Sequence, residues 1–147
     1  MVFGRKRRIL ERLLLVEDEP LVAFDAEHLL TDQGYTIVAT VDRVADAVAV
    51  LEGAGAVDLV LLDVRLADGS GTEVARAART RGVAVLFVTG ACPDEAATLA
   101  SGFLAKPYAH ADLLAAIAAI EQSVAGKRPR RLPGGFQLFA PAGPAAV

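Results

Sequence analysis

An α/β domain on a doubly wound parallel sheet is what this chain encodes, and three observations carry that reading. Val57-Asp58-Leu59-Val60-Leu61-Leu62 is apolar at five of six positions and is followed by the turn-forming Asp68-Gly69-Ser70-Gly71, as expected for a strand buried on both faces. Apolar runs of this kind alternate with helix-periodic stretches five times, which implies right-handed crossovers and helices on both sides of the sheet. The polar residues Glu17, Asp63, Thr89 and Lys106 close four of the runs, and ligands of open α/β sheets collect at such carboxyl ends.

Residues 1–11 read as a basic extension, with helix continuing into Ile9-Leu10-Glu11-Arg12, and the domain proper as 12–125. The first strand is Leu13-Leu14-Leu15-Val16, ending in Glu17-Asp18-Glu19. Pro20 suits the first turn of the following helix, where its missing N–H has no partner to lose. On that helix Val22, Ala26, Leu29 and Leu30 share one face and Gly34 stops it, leaving Phe24 and His28 off the stripe and free for a partner. The second strand is Tyr35-Thr36-Ile37-Val38-Ala39-Thr40, and Val44, Ala47, Val48 and Leu51 stripe the next helix. After the third strand comes a helix over 72–81, then the buried run Val83-Ala84-Val85-Leu86-Phe87-Val88 ending at Thr89-Gly90. Residues 94–100 leave room for about two helical turns, a shortened fourth helix. Gly102-Phe103-Leu104-Ala105 is the fifth strand, ended by Lys106-Pro107, and the last helix spans 112–124 with Leu113, Ile117 and Ile120 inward. Residues 126–147 turn basic and then Pro/Gly-rich, the composition of a tail without a core of its own.

At 147 residues the chain makes one domain, and no apolar run approaches the ~20 residues that cross a bilayer. Arg5-Lys6-Arg7-Arg8 leads straight into the first strand without a signal-peptide core, so a cytoplasmic setting and no membrane partner are expected. The single Cys92 makes no internal disulfide and is expected to be an idle thiol. From Leu13 to Gly126 there are 17 acidic and 6 basic residues, a net charge of −11, and the basic residues gather at the two ends. Those short runs carry no interleaved aromatics, which argues against nucleic acid as the partner.

With the strands in the order 2-1-3-4-5, the strand ends bring Glu17, Asp18, Asp63, Thr89 and Lys106 to one crevice. Three carboxylates so placed repel one another unless a cation lies among them, and all-oxygen ligands select a hard ion such as Mg²⁺. Carboxylates with Mg²⁺, a hydroxyl and an ammonium make a site for a phosphoryl group. Asp63 is then the nucleophile, Glu17 and Asp18 hold the metal with the main-chain carbonyl of Arg65, and Thr89 and Lys106 contact the phosphoryl oxygens. Gly90 leaves the loop free of a side chain.

Val16-Glu17-Asp18-Glu19-Pro20, Leu61-Leu62-Asp63-Val64-Arg65-Leu66, Val88-Thr89-Gly90 and Ala105-Lys106-Pro107-Tyr108 together resemble the receiver domain of bacterial two-component response regulators, in register over residues 12–124. The resemblance implies a flavodoxin-like fold and a phosphoryl group taken from a sensor histidine kinase or histidine phosphotransfer protein. It also implies a switch in which Thr89 moves toward the phosphoryl group and Phe103 changes rotamer, and a cis Lys106-Pro107 bond. The chain departs from the family in a short Thr89–Lys106 interval and in Leu66-Ala67-Asp68-Gly69, which lacks the usual Pro. Phe87-Val88-Thr89-Gly90 partly resembles a subclass of single-domain regulators of stress signalling. The expectation is a single-domain regulator acting as a switch or phosphate sink toward an unknown downstream protein, with homodimerisation left open. The alternatives are a haloacid dehalogenase-like phosphatase, which would want an Asp where Arg65 stands, and a receiver that binds partners without phosphorylation.

Overall fold

Strand β1 (Arg12–Val16) and strand β3 (Leu59–Leu62) lie side by side and parallel, and the eight residues from Leu13 to Val16 and Leu59 to Leu62 are at most 5% exposed. The computed structural model describes residues 8–53 and 55–139. Strand β2 (Thr36–Val41) flanks β1, and beyond β3 come β6 (Ala84–Thr89) and β7 (Gly102–Ala105), all parallel. This is the 2-1-3-4-5 order of a flavodoxin-like domain, the fold read from the sequence. Two residues from β4 (Arg65–Leu66) and two from β5 (Gly69–Ser70) make a small antiparallel ribbon in the loop after Asp63.

Alternating side chains on the buried strands feed two cores. Leu13, Leu15, Leu59, Leu61, Leu86 and Leu104 pack against α1 (Pro20–Asp32) and α5 (His110–Val124). Leu14, Val16, Val60, Leu62, Val85 and Phe87 pack against α2 (Val44–Glu52) and α3 (Gly71–Thr80). Each enclosed Leu or Phe contributes about 1.5–3 kcal/mol by leaving water, which is why continuous apolar runs make the strands and stripes make the helices. Helix α1 begins with Pro20 as expected, and Ala23, Ala26 and Leu30 are its buried residues. Phe24 and His28 stay outside that face, with their rings stacked 5.8 Å apart.

The structure departs from expectation in three places. Residues 9–12 are not helical: the Asp58 carboxylate accepts the Glu11 and Arg12 amides at 3.0 and 2.9 Å, holding the chain extended into β1. The fourth helix, α4 (Ala96–Leu99), is a single turn, shorter than the two allowed for. The tail expected to lack a core joins the domain's own. Its strand β8 (Phe136–Leu138) pairs antiparallel with β7 as the sixth strand, and Phe136 is buried beside Leu104 and Leu113. The basic residues 1–7 and the last residues, 140–147, lie outside the described residues.

Candidate functional site: an acidic crevice at the strand ends

The crevice forms where β1, β3, β6 and β7 end. Glu17 follows β1, Asp63 follows β3, Thr89 closes β6 and Lys106 follows β7, so the parallel register places all four at one edge. Backbone bonds from the Asp63 amide to the Val16 carbonyl and from the Lys106 amide to the Thr89 carbonyl, both 2.9 Å, carry the ladder one residue further and fix where these side chains start.

Lys106 lies at the centre. Its ammonium reaches Glu17 Oε1 at 2.5 Å, Asp63 Oδ2 at 2.9 Å and Glu19 Oε1 at 3.0 Å, one carboxylate for each of its three protons. Asp63 Oδ1 accepts the Val64 amide at 2.7 Å, while the Arg65 amide stands off at 3.4 Å. Asp63 and Thr89 are buried, at 7% and 6% exposure. Burial alone would raise the Asp63 carboxyl, but the hydrogen bond and charge of Lys106 overcome it and hold the group below the usual carboxylate range. Burial dominates at Glu17 and pushes it up to about 7 against the pull of Lys106. Lys106 is desolvated too, yet its bonds to Glu17 and Asp63 raise it above the ordinary lysine value.

Glu17, Asp18, Glu19 and Asp63 each offer a carboxylate oxygen, and these oxygens lie within 4.8 Å of one another. Four carboxylates against one ammonium leave a concentrated negative charge, and an all-oxygen donor set of this kind fits a hard divalent cation such as Mg²⁺. Asp18 is exposed and lines the same cavity as Asp63, Arg65, Thr89 and Lys106. The Arg65 side chain is exposed at the rim, and Cys92 lies farther along the same wall. Phe103 is not in the crevice; it points into the core with Phe87, its partner on β6. The Lys106-Pro107 bond is cis.

Two residues of the site escaped the sequence reading and one was misread. Glu19 stood only as the end of the first strand's acidic run and was given no role, but it shares Lys106. Gly71 looked like a turn residue, but a Cβ there would collide with the Asp63 carbonyl oxygen and come within 3.1 Å of Val64 Cα. Its amide bonds the Val64 carbonyl at 2.6 Å, so α3 starts hard against the strand end that carries Asp63. Gly90 faces open space, and nothing in its surroundings requires a glycine.

The response regulator receiver domain model matches residues 13–118. The chain belongs to this family. The receiver resembles the transcriptional regulatory protein TcrA of Mycobacterium tuberculosis, with 39% identity over 84% of this chain and 51% of that protein. It also resembles the phyllosphere-induced regulator PhyR of Methylorubrum extorquens, with 32% identity over 71% of this chain and 41% of that one. The chain thus spans about half the length of the curated relatives it matches, or less. Among solved structures, a CheY-like receiver domain from Methanospirillum hungatei aligns with a TM-score of 0.66 and 28% identity, over 74% of this chain and 91% of that one. A receiver protein from Sinorhizobium medicae aligns at 0.67 and 28%, over 77% of this chain and 95% of that one. Membership sets aside the dehalogenase-type alternative. Among the described residues no helix is long and apolar enough to cross a membrane.

Proposed function

We propose that this receiver takes a phosphoryl group on Asp63 from a phosphohistidine of a sensor histidine kinase or histidine phosphotransfer protein, and that the acyl phosphate sets its signalling state. The observation that carries the reading is the Lys106 ammonium bonded at once to Glu17, Glu19 and Asp63. The Asp63 carboxyl is held below the usual range by the hydrogen bond and charge of Lys106, against its burial, and so is ionised and able to attack phosphorus. Its Oδ2 forms the new P–O bond as the P–N bond to imidazole breaks. The imidazole leaves with the electron pair of that bond and takes up a proton from water. Lys106 moves its charge from the carboxylates to a phosphoryl oxygen, and the Thr89 hydroxyl donates to another. Glu17, Asp18 and Asp63, with the main-chain carbonyl of Arg65, would hold Mg²⁺; positive charge against the phosphoryl oxygens is what that ion supplies.

The donor docks beside this crevice. On α1, Leu21 and Phe24 are 83% and 68% exposed, and an apolar patch next to an acceptor site suits the helices that present a phosphohistidine. A cytoplasmic setting belongs to this proposal, as does the Phe103 rotamer change. Whether the phosphorylated domain acts as a switch or drains phosphate from a shared kinase depends on its partner.

The test is incubation with Mg²⁺ and acetyl phosphate, read by intact mass. One added phosphoryl group is expected on the wild type and none on Asp63→Asn. Labelling that persists in Asp63→Asn would remove Asp63 from the role, and a wild type that stays unlabelled would favour binding without phosphorylation.

A further inference from the structure

Two basic stretches from opposite ends of the sequence meet at the end of the sheet away from the crevice. Ile9 leads into β1, and its amide donates to Glu121 of α5 at 3.1 Å, which ties the N-terminal segment to the last helix. Arg8 stands over the Tyr35 ring, its guanidinium carbon 3.9 Å from the ring centroid. Arg8 and Lys127 therefore line one cavity, together with Gln33 and Gln122. Glu121 is the only acid of that lining, and one of its oxygens is spent on the Ile9 amide. Arg128, Arg130 and Arg131 follow Lys127 and are exposed, and Arg5-Lys6-Arg7 directly precede Arg8 in the sequence. Among the described residues, none of Arg8, Lys127, Arg128, Arg130 and Arg131 forms an ion pair. A cation that offsets the carbonyl end of α5 accounts for Lys127, but not for the three arginines beyond it.

Each run alone is short, which is why no membrane partner is expected from the sequence, but the fold adds the two together. Apolar side chains stand among these cations. Ile9 lines the same cavity and Val124 ends α5 beside it, and they are 51% and 52% exposed. Aliphatic side chains beside unpaired basic ones suit a lipid headgroup layer, which takes up both. A single-stranded nucleic acid would want aromatic faces to stack on, and the tyrosine here is buried beneath Arg8. We propose that this base of the domain binds a membrane surface rich in anionic lipid, with the basic side chains on lipid phosphates and Ile9 and Val124 in the headgroup region. Each Lys or Arg near such a surface multiplies the affinity by about fivefold. From Arg12 to Glu17 the chain rises about 16 Å, so a domain seated on its base holds the acidic crevice away from the lipid and facing solvent. Repulsion of the crevice carboxylates by an anionic surface favours the same orientation.

The experiment mixes the full chain with sedimentable vesicles of phosphatidylcholine, with or without phosphatidylglycerol, and measures the bound fraction. Binding is expected only to vesicles that contain the anionic lipid. It should fall at least tenfold between about 0.1 M and about 1 M salt, as the screening length shortens from ~10 to ~3 Å. Lys127→Glu and, separately, Arg128→Glu reverse a charge on an exposed side chain outside the core, and each should weaken binding by about tenfold or more. Val124→Asp should weaken it as well. Arg43→Glu makes the same change of net charge on an exposed residue at the start of α2, at the crevice end, and should bind like wild type. Equal weakening by Arg43→Glu would assign binding to net charge alone and overturn the proposal. Equal binding to both kinds of vesicle, or binding to neither, would overturn it too. Tighter binding to duplex DNA than to anionic vesicles of equal phosphate concentration would give the surface to nucleic acid instead.

Discussion

Gly71→Ala should displace Asp63 although Gly71 lies outside the cluster of charges. The added methyl would meet the Asp63 carbonyl and Val64 Cα, both backbone atoms that cannot rotate aside, so relief requires α3 and the end of β3 to part by about 1 Å. Overpacking of this kind costs about 1–3 kcal/mol, and a backbone collision belongs at the upper end. Alanine recovers up to ~1 kcal/mol because it suits a helix better than glycine. The net loss is then about 2 kcal/mol, which for a domain of this size lowers the melting temperature by about 4–8 °C. The effect on chemistry is larger, because a 1 Å misplacement of a reacting group costs up to ~100-fold in rate. Thermal unfolding and the initial rate of labelling by acetyl phosphate measure the two effects. Gly90→Ala, which adds a methyl in open space, is the control for stability and should melt with the wild type. A Gly71→Ala protein that melts and labels like wild type would refute the argument that this glycine seats Asp63.

Other consequences are equally open to measurement. Asp68, in the ribbon loop, accepts the Val44 and Ala45 amides at 2.6 and 3.1 Å and so caps α2 from outside it; those bonds hold its carboxyl below the usual value. A folded pKa below the unfolded one means that this stability is present at neutral pH and is lost as pH falls through the folded value. Asp68→Asn should thus be less stable than wild type at pH 7, with the gap closing below about pH 4 in pH-dependent urea unfolding; a gap independent of pH would contradict the cap. Arg65, at the rim, offers no acceptor to orient an attacking water. Arg65→Asn should therefore lose its phosphoryl group roughly three- to tenfold faster, equivalent to about 0.7–1.4 kcal/mol of barrier, and slower loss would mean that another group positions the water. Asp18→Ala should weaken Mg²⁺ binding, read by titration; unchanged binding in both Asp18→Ala and Glu17→Ala would place the metal elsewhere.

The parallel sheet was legible because its strands are apolar on both faces, so runs such as Leu59-Val60-Leu61-Leu62 announce themselves without help from the rest of the chain. The crevice was legible for a related reason, since a polar residue closing such a run has few other places to point. Contacts made across long stretches of sequence by single residues were not legible. Asp58 replaces the helix expected at residues 9–12 by accepting two amides some 46 positions away, and no local pattern marks an acid for that task. The three residues of β8 are too few to show a period, and Phe136 is their only large side chain wholly inside. A trace did exist in Gly102, because a glycine within a strand signals the close approach of something else, here the Phe136 ring.

Closing the sheet with β8 also bears on how the chain is made. The five parallel strands are complete once residue 105 has been synthesised, while the strand that covers their open side arrives last. At ~5–20 residues per second, β7 would present a bare edge for about 2–7 s, long enough to template a neighbouring nascent chain. A three-residue strand that leaves little edge of its own ends that exposure, so a Phe136→Ala chain should give less soluble protein from the cell even where the purified domain folds normally.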